Sequence, residues 1–269
     1  MAEKQQERSL EKPTTPKWAT RPFREFIDQA ERLDQLLHLS MSGISMIRGV
    51  PKIVEVLAKV EEDSGEHARQ KIENAKREAD LAQKEVDEGF PLLHAQTTIA
   101  LWSALEATVR LFIVRWLQNY QPAMNVEVIQ KLRVRIGEYE RLEGEDRFFY
   151  ILDRLEQELS APLRSGVSRF ESLLEPFGLA GAVDEDLRRN LFELNQVRNV
   201  LVHRSGVADR RLIESCPWLE VKVGDILKMR HDTTRRYFDS VMRYSTTLIV
   251  RIAEHFGVDM SEFRSSSKT

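Results

Sequence analysis

DEDLRRNLFELNQVRNVLVHRSG, residues 184–206, is the stretch of the chain that decides the fold. Its leucines recur at three- and four-residue steps, the spacing of one buried helix face: Leu187, Leu191 and Leu194. Asp184 is a residue type that caps a helix N-terminus, and Gly206 is the type that commonly follows a helix C-terminus. The stretch therefore predicts an amphipathic helix that ends near His203.

Helical spacing continues through most of the chain on either side of this stretch. Pro91 suits the first turn of a second long helix, which should run to about Tyr120. Other helices are predicted at residues 23–60 (one or two), 126–136, 143–159, 166–177 and 233–256. Residues 219–229 alternate around Gly224-Asp225 and predict a small β-hairpin. Strands do not alternate with helices, so an all-α fold is expected.

The domain organisation follows from composition and periodicity. Residues 1–20 and 258–269 are polar and are predicted to be disordered tails. Residues 21–88 form an N-terminal helical hairpin or coiled-coil-like extension, and residues 89–257 form the main helical domain. A heptad seam of small residues marks the extension: Ala68, Ile72, Ala75, Ala79, Ala82 and Val86. The seam predicts packing against the preceding helix, or alternatively an arm that recruits a partner protein.

Several function classes are excluded by what the sequence lacks. The apolar stretch at residues 90–105 is shorter than the roughly 20 residues of a membrane span, so no membrane association is expected. Cys216 is the single cysteine, so no disulfide framework, zinc cluster or other metal site is expected, and a cytoplasmic location is predicted. Phosphate-binding loops and protease motifs are also missing. No cofactor is predicted.

The net charge of −3 conceals an asymmetry along the chain. Residues 1–186 carry 25 Lys and Arg against 33 Asp and Glu, whereas residues 187–264 carry 14 against 10. A basic C-terminal third is typical of proteins that bind a polyanion, although an ordinary solvated surface gives the same excess.

The polar residues near the end of the 184–206 helix point in two different directions around the helix axis. With Leu187 at zero and 100° per residue, Arg198 lies at about 20°, Asn199 at about 120° and His203 at about 160°. Arg198 thus lies in the leucine stripe, while Asn199 and His203 share a neighbouring polar face. Arg198 and His203 do not converge from one helix. A two-fold axis beside this face would pool the polar groups of two copies, which predicts a composite site in a homodimer.

These residue types suit the cleavage of RNA. The planar guanidinium of Arg198 can hold a phosphate and stabilise its developing charge. Histidine titrates near neutral pH, so one His203 can accept the proton of a 2′-hydroxyl while the second protonates the leaving 5′-oxygen, and Asn199 can position one of them. The scheme requires no metal and spares DNA, which has no 2′-hydroxyl.

The motif Arg198-Asn-Val-Leu-Val-His203, in the context LNQVRNVLVHRSGVAD, resembles the HEPN superfamily, whose signature is Arg, four to six residues, then His. The segment ALWSALEATVR resembles the first helix of that family, and the resemblance covers roughly residues 89–257. It implies a helical bundle, a homodimer with juxtaposed motifs, metal-independent ribonuclease activity, and a role in prokaryotic defence or toxin–antitoxin systems. The branch regulated by a nucleotidyltransferase antitoxin has Tyr where this chain has Ser205, so modification of that kind is not expected.

The supporting residues each have a structural alternative. Glu106 lies on the stripe of the 91–120 helix and is predicted to pair with Arg198, a pairing that would either orient the arginine or merely join helices. Asn195 would contact RNA or cross-link helices. Three arginines would bind phosphates or form a solvated loop: Arg204, Arg210 and Arg211. His203 itself would, in the structural alternative, bond the last carbonyls of its helix.

Two functions remain open on the sequence alone. The first is an endoribonuclease with a composite dimer site. The second is a catalytically silent module, in which the N-terminal hairpin binds an antitoxin or other partner protein and the basic C-terminal third holds RNA without cutting it.

Overall fold

The computed structural model of the chain describes residues 13–61, 65–160 and 165–261, and these ranges are mostly α-helical. The helices in them are, in chain order, α1 (Lys17–Ile47), α2 (Val50–Val60), α3 (Glu66–Glu88), α4 (Pro91–Asn119), α5 (Gln121–Met124), α6 (Glu127–Gln130), α7 (Ile136–Tyr139), α8 (Glu145–Glu158), α9 (Val167–Leu174), α10 (Glu185–His203), α11 (Arg210–Ser215) and α12 (His231–His255). An isolated bridge is the only β-pairing in the described ranges. The all-α prediction is confirmed.

Helix α4 lies at the centre of the bundle and packs against α1, α8, α10 and α12. Its large apolar side chains fill the core: Leu101, Trp102, Leu105, Val109, Phe112, Ile113, Trp116 and Leu117. Trp102 stacks on Phe170 of α9 with ring centroids 5.4 Å apart. The two tryptophans of α4 are therefore core residues.

In the described part of the chain, α4 is also the one helix that is long and apolar enough to cross a membrane. Its most apolar 18-residue window has a mean hydropathy of 1.4, and 56% of that window is buried inside the protein. The core helix of a bundle has these same properties, because its side chains meet other helices on most sides.

Helix α1 begins earlier than the sequence predicts. Trp18 packs edge-on against Trp116 with ring centroids 5.7 Å apart, and Ala19 is fully buried. The predicted tail to residue 20 is therefore wrong for residues 17–20, because α4 covers their apolar surface. Residues 1–12 lie outside the described ranges, and so does the second predicted tail from residue 262 onward.

The first half of α1 belongs to the main core. Phe23, Phe26 and Ala30 are buried in the same apolar cluster as the α4 side chains. The predicted division at residue 88 therefore needs correction, because residues 17–33 pack as part of the bundle. The second half of α1 extends from the bundle together with α2 and α3, and residues 34–88 are here called the arm. The base of the arm still contacts the bundle, where His38 lies beside His231 of α12 and Glu88 pairs with Lys228.

The heptad seam of α3 packs against other helices of the arm. Ala68, Ala75 and Ala82 are buried, and α3 contacts both α1 and α2. Small side chains at these positions allow close approach of the helices. The small residues of the seam therefore lie against the helices that precede α3.

The segment between α4 and α8 is less regular than predicted. The helix expected at residues 126–136 is wrong: only α6 forms, and α7 begins at Ile136. Ile129 is the buried apolar residue of α6, too little to hold a longer helix against the bundle. Further along, the backbone N–H of Arg135 donates to the hydroxyl of Tyr150 at 3.0 Å instead of to a helix carbonyl.

The predicted β-hairpin at residues 219–229 does not form. Residues 217–219 make a 3₁₀ turn, and Ile226 pairs by an antiparallel bridge with Val207 instead. The N–H of Ala208 donates to the carbonyl of Asp225 at 2.8 Å, and the N–H of Leu227 donates to that of Gly206 at 2.8 Å. The alternating segment thus pairs with the chain that follows α10, a non-local partner that sequence spacing does not reveal.

A buried carboxylate fixes the segment after α11. Glu193 of α10 is 1% exposed and accepts from Trp218 Nε1 at 2.5 Å and from the Tyr237 hydroxyl at 2.7 Å. Arg236 of α12 supplies the compensating charge at 2.5 Å. Nearby Cys216 is also 1% exposed, and burial, with a smaller effect of Glu193, raises the pKa of its thiol to about 11.

Candidate functional site

The candidate site lies at the C-terminal end of α10. Asp184 caps the helix as predicted, its Oδ1 accepting from the N–H of Leu187 at 3.1 Å. The other end closes after His203, where the N–H groups of Arg204 and Gly206 both donate to the carbonyl of Val200, at 2.9 and 3.1 Å. Gly206 has a φ of 79°, a conformation that glycine adopts without strain. The helix therefore presents its last turn at a fixed place.

Arg198 is half-buried and lacks an acidic partner. Its Nη1 lies 3.3 Å from Oδ1 of Asn199, and its Nε is buried without a hydrogen-bond partner. No ion pair to this guanidinium occurs among the described residues. A guanidinium without an acidic partner keeps its donors available for an anion such as a phosphate.

The predicted pairing of Arg198 with Glu106 is wrong. The Glu106 carboxylate instead binds Nη1 of Arg169 on α9, and each of these side chains is 23% exposed. Arg169 also lies 3.4 Å from Glu156 of α8, whose other oxygen is held by Arg110. Glu106 is therefore part of a structural network among α4, α8 and α9.

His203 is exposed and lies at a cleft of about 330 Å³ at the end of α10. The cleft is lined by Gln196, Asn199, Val200, His203, Arg204, Asp209, Arg211 and Leu212. Within the described ranges no hydrogen bond holds the imidazole, and none joins it to the last carbonyls of α10. The imidazole is therefore exposed and is not held by a hydrogen bond within these ranges.

The structure brings together some of the predicted site residues and separates others. Asn199 and His203 share the cleft, as the helical wheel predicts, and Arg204 and Arg211 line it with them. Arg198 does not line this cleft. One chain thus presents the histidine and the amide at the cleft, while its half-buried arginine lies outside the cleft.

The basic residues of the cleft are not equivalent. Arg204 lies 3.6 Å from Asp209, a carboxylate that also caps α11 by accepting from the N–H of Leu212 at 2.9 Å. Arg211 lines the cleft without such a carboxylate in the described part of the chain, whereas Arg210 is exposed and does not line it. Arg211 is therefore the freest cation at the cleft.

Asn195 has a structural role. Its Oδ1 accepts from the backbone N–H of Gly166 at 3.3 Å, and so it ties the start of α9 to α10. Gly166 has a φ of 60°, and a Cβ there would come within 2.8 Å of the Cα of Phe192. The amide thus fixes a close crossing of two helices and leaves the polar face to Asn199 and His203.

An apolar surface beside the site was not predicted. Four exposed residues lie on or next to the last turn of α10 and its paired segment: Val202 (43%), Val207 (39%), Val223 (64%) and Ile226 (70%). Val207 and Ile226 are partners in the antiparallel bridge, so they stand side by side. The sequence does not predict this surface, because the pairing that brings Val207 and Ile226 together joins segments that are distant in the sequence.

A cluster of three histidines was also missed. His231 of α12 lies between His94 of α4 and His38 of α1, with ring centroids at 5.7 and 6.2 Å. His94 is 1% exposed, and its Nδ1 is buried without a hydrogen-bond partner. Burial lowers the pKa of His94, and the two neighbouring imidazoles lower it further. In the described ranges no group of three or more His, Cys, Asp or Glu is arranged to hold a metal ion.

Comparison with protein-family models, curated proteins and solved structures gives no match. The resemblance to the HEPN superfamily therefore rests on the sequence alone, on the motif at residues 198–203 with its context and on the segment at residues 100–110. What the site can do follows from its own chemistry: an exposed imidazole and a neighbouring amide in the last turn of α10, with Arg204 and Arg211 lining the same cleft.

Proposed function

We propose that the protein is a metal-independent endoribonuclease whose active site is completed by a second subunit at a homodimer interface. The observation that carries the proposal is the accessible, unpartnered imidazole of His203 in a cleft that also holds Asn199 and Arg211. A toxin or defence role of the kind found in the HEPN superfamily accompanies the proposal.

The dimer is part of the proposal because one chain holds only half of the required groups. Arg198 lies outside the cleft that holds His203, and a second α10 across a two-fold axis would bring its own Arg198 and His203 to the same phosphate. The exposed apolar residues beside the last turn, Val202, Val207 and Ile226, supply the surface that such an interface would bury.

The proposed reaction is an internal transesterification. One His203 accepts the proton of the RNA 2′-hydroxyl as the 2′-oxygen bonds to phosphorus, and the His203 of the other subunit donates a proton to the departing 5′-oxygen. Arg198 stabilises the charge on the non-bridging oxygens. The products are a 2′,3′-cyclic phosphate and a 5′-hydroxyl end, and DNA is not cleaved.

A cleavage assay with labelled single-stranded RNA in EDTA tests the proposal. The expected result is cleavage to cyclic-phosphate ends by the wild type and its loss in both Arg198→Ala and His203→Ala. Arg210→Ala is the matched control, since Arg210 is exposed and does not line the cleft. Equal cleavage by all variants would identify a contaminant and reject the proposal.

The second candidate is a catalytically silent module that binds RNA. It is favoured by one observation, that Arg198 does not line the cleft that holds His203. In that version Arg204 and Arg211 bind backbone phosphates, and Arg211→Ala weakens RNA binding while no variant changes cleavage. A gel-shift titration run beside the cleavage assay separates the two candidates.

A further inference from the structure

The arm carries a second heptad seam, and this one faces solvent. Its positions are separated by alternating steps of three and four residues: Leu36, Leu39, Gly43, Met46, Val50, Ile53, Leu57 and Val60. Six of the eight side chains are exposed to an unusual degree for apolar residues, among them Leu39 at 69%, Met46 at 77% and Val60 at 75%, while Val50 is half-buried. Helix α2 has no buried residue at all. Such a continuous apolar seam is typical of a helix that pairs with another helix.

The seam continues from α1 into α2 despite the break between them. Arg48 has φ and ψ of −56° and −27°, and Gly49 has −86° and −15°. Both residues keep right-handed helical angles, so the register of α1 carries into α2. The seam therefore spans 25 residues, or roughly 36 Å at 1.5 Å per residue.

This seam is distinct from the seam of α3. The α3 positions Ala68, Ala75 and Ala82 are buried against α1 and α2, whereas the α1–α2 positions point away from that contact. In the arm, one side of α1 and α2 thus packs against α3, and the opposite side, which carries the seam, has no partner among the described residues.

We propose that the seam pairs with the same seam of a second copy of this chain, as an antiparallel coiled coil. With a two-fold axis beside residue 48, every seam position meets another seam position: 36 with 60, 39 with 57, 43 with 53, and 46 with 50. The pairing places Gly43 opposite Ile53, so the smallest side chain faces a large one. A self-complementary surface of this kind is the requirement for an isologous dimer.

Charge supports an identical copy over a different protein. The positions that flank the seam are uncharged over its whole length until Glu61: Gln35, Ser40, Ser42, Ile47, Gly49, Val54 and Val56. Charged residues at the flanking positions normally determine which helices pair in a coiled coil, because they form ion pairs between the helices. Two copies of this helix meet with no like charges opposed, whereas a partner with charged flanks would gain no ion pair here. This interface lies on the arm, and it does not depend on the proposed ribonuclease site.

Mass measurement of the full chain by light scattering tests the pairing. Leu57→Glu places a carboxylate in the seam, and the expected result is half the wild-type mass. Leu81→Glu is the matched control, since Leu81 is 63% exposed on α3 of the same arm but outside the seam; it should leave the mass unchanged. A wild-type mass of one chain, or a Leu57→Glu mass equal to the wild type, would overturn the proposal.

Cross-linking keeps the test independent of how the glutamate variant folds. A mixture of Leu39→Cys and Leu57→Cys chains should form disulfide-linked dimers under mild oxidation, because positions 39 and 57 face each other between copies. Each variant alone should not. A cross-link between two Leu57→Cys chains would indicate parallel pairing. The absence of a cross-link in the mixture would indicate that the seam binds a different protein. Either result rejects the antiparallel self-pairing. RNA cleavage is a separate readout, so the failure of one proposal does not imply failure of the other.

Discussion

The Glu106 carboxylate on α4 is bound by Nη1 of Arg169 on α9, and the same arginine reaches Oε1 of Glu156 at 3.4 Å. One guanidinium thus compensates two carboxylates that come from different helices. If that arginine is removed, Glu106 is left without its cation in a partly buried position, where an unpaired charge is costly.

Arg169→Leu should therefore lower the stability of the fold. We expect a loss of about 1–3 kcal/mol, reduced from the value for a fully buried pair because the side chains remain partly exposed. In a protein of this size that corresponds to a fall in Tm of about 2–10 °C. Thermal unfolding followed by circular dichroism measures it. Arg135→Leu, which breaks the exposed Arg135–Glu138 pair, is the control and should not shift Tm measurably; equal shifts would contradict a special role for Arg169.

If the proposed composite site is correct, a heterodimer with one wild-type and one His203→Ala subunit should be nearly inactive in RNA cleavage. If the two histidines act as base and acid on one phosphate, a single imidazole cannot do both, and activity should fall below about a tenth of the wild type. Independent sites would retain about half. Two affinity tags purify the heterodimer, and a Leu57→Glu background keeps the arms from joining further subunits. Retention of half the activity would reject a pooled site.

Gly166→Ala should destabilise the crossing of α9 and α10. The new Cβ would lie 2.8 Å from the Cα of Phe192 and 3.1 Å from its N, and the φ of 60° disfavours any side chain. We expect a cost of about 2–4 kcal/mol, from overpacking together with backbone strain. Urea unfolding measures the change. Gly137→Ala provides the contrast, because a Cβ at Gly137 meets nothing within 4 Å and that glycine lies in α7; it should be neutral or slightly stabilising.

Stability should fall as the pH drops below neutral. Burial and the neighbouring imidazoles lower the pKa of His94 in the folded state, while the unfolded chain has the usual value of about 6.5. Between those two pKa values the unfolded state binds more protons than the folded state. The contribution of His94 to the free energy of unfolding is therefore fully present above about pH 6.5 and is lost as the pH falls toward the folded-state pKa. Burial lowers the pKa of His255 as well, and this histidine adds to the same trend.

The measurement for this prediction is Tm as a function of pH from about 7.5 to 5.5. His94→Leu should flatten the profile because the buried titrating group is gone. His67→Leu, at an exposed position of α3, is the matched control and should leave the slope as in the wild type. An unchanged slope in His94→Leu would show that other groups cause the dependence.

Helices whose ends are marked by local signals are the part of the fold that the sequence predicts well. Pro91 begins α4, Asp184 caps α10, and Gly206 follows the end of α10, all as expected. These signals are local, because each lies within a few residues of the unpaired backbone N–H or C=O groups at the helix end. The sharing of one face by Asn199 and His203 was predictable for the same reason, because helical geometry fixes it.

Contacts between distant segments could not be predicted in the same way. The sequence places Glu106 on the inner stripe of α4, but nothing in it says that Arg169 and not Arg198 lies opposite. The pairing of Ile226 with Val207 and the meeting of His38, His94 and His231 depend likewise on how helices are arranged in space. The seam at residues 36–60 is present in the sequence, yet only the packing of α3 on the other side shows which face stays open.

The burial of Cys216 has a practical consequence for observing the protein at work. It is the only cysteine in the chain, and its thiol is both enclosed and hard to ionise, so thiol-directed dyes and spin labels should leave it unmodified. A cysteine introduced at an exposed position can then carry one probe per chain without prior removal of the native residue. Fluorescence energy transfer between labelled copies would test the proposed approach of the arms and the proposed approach of the α10 ends separately, with and without RNA.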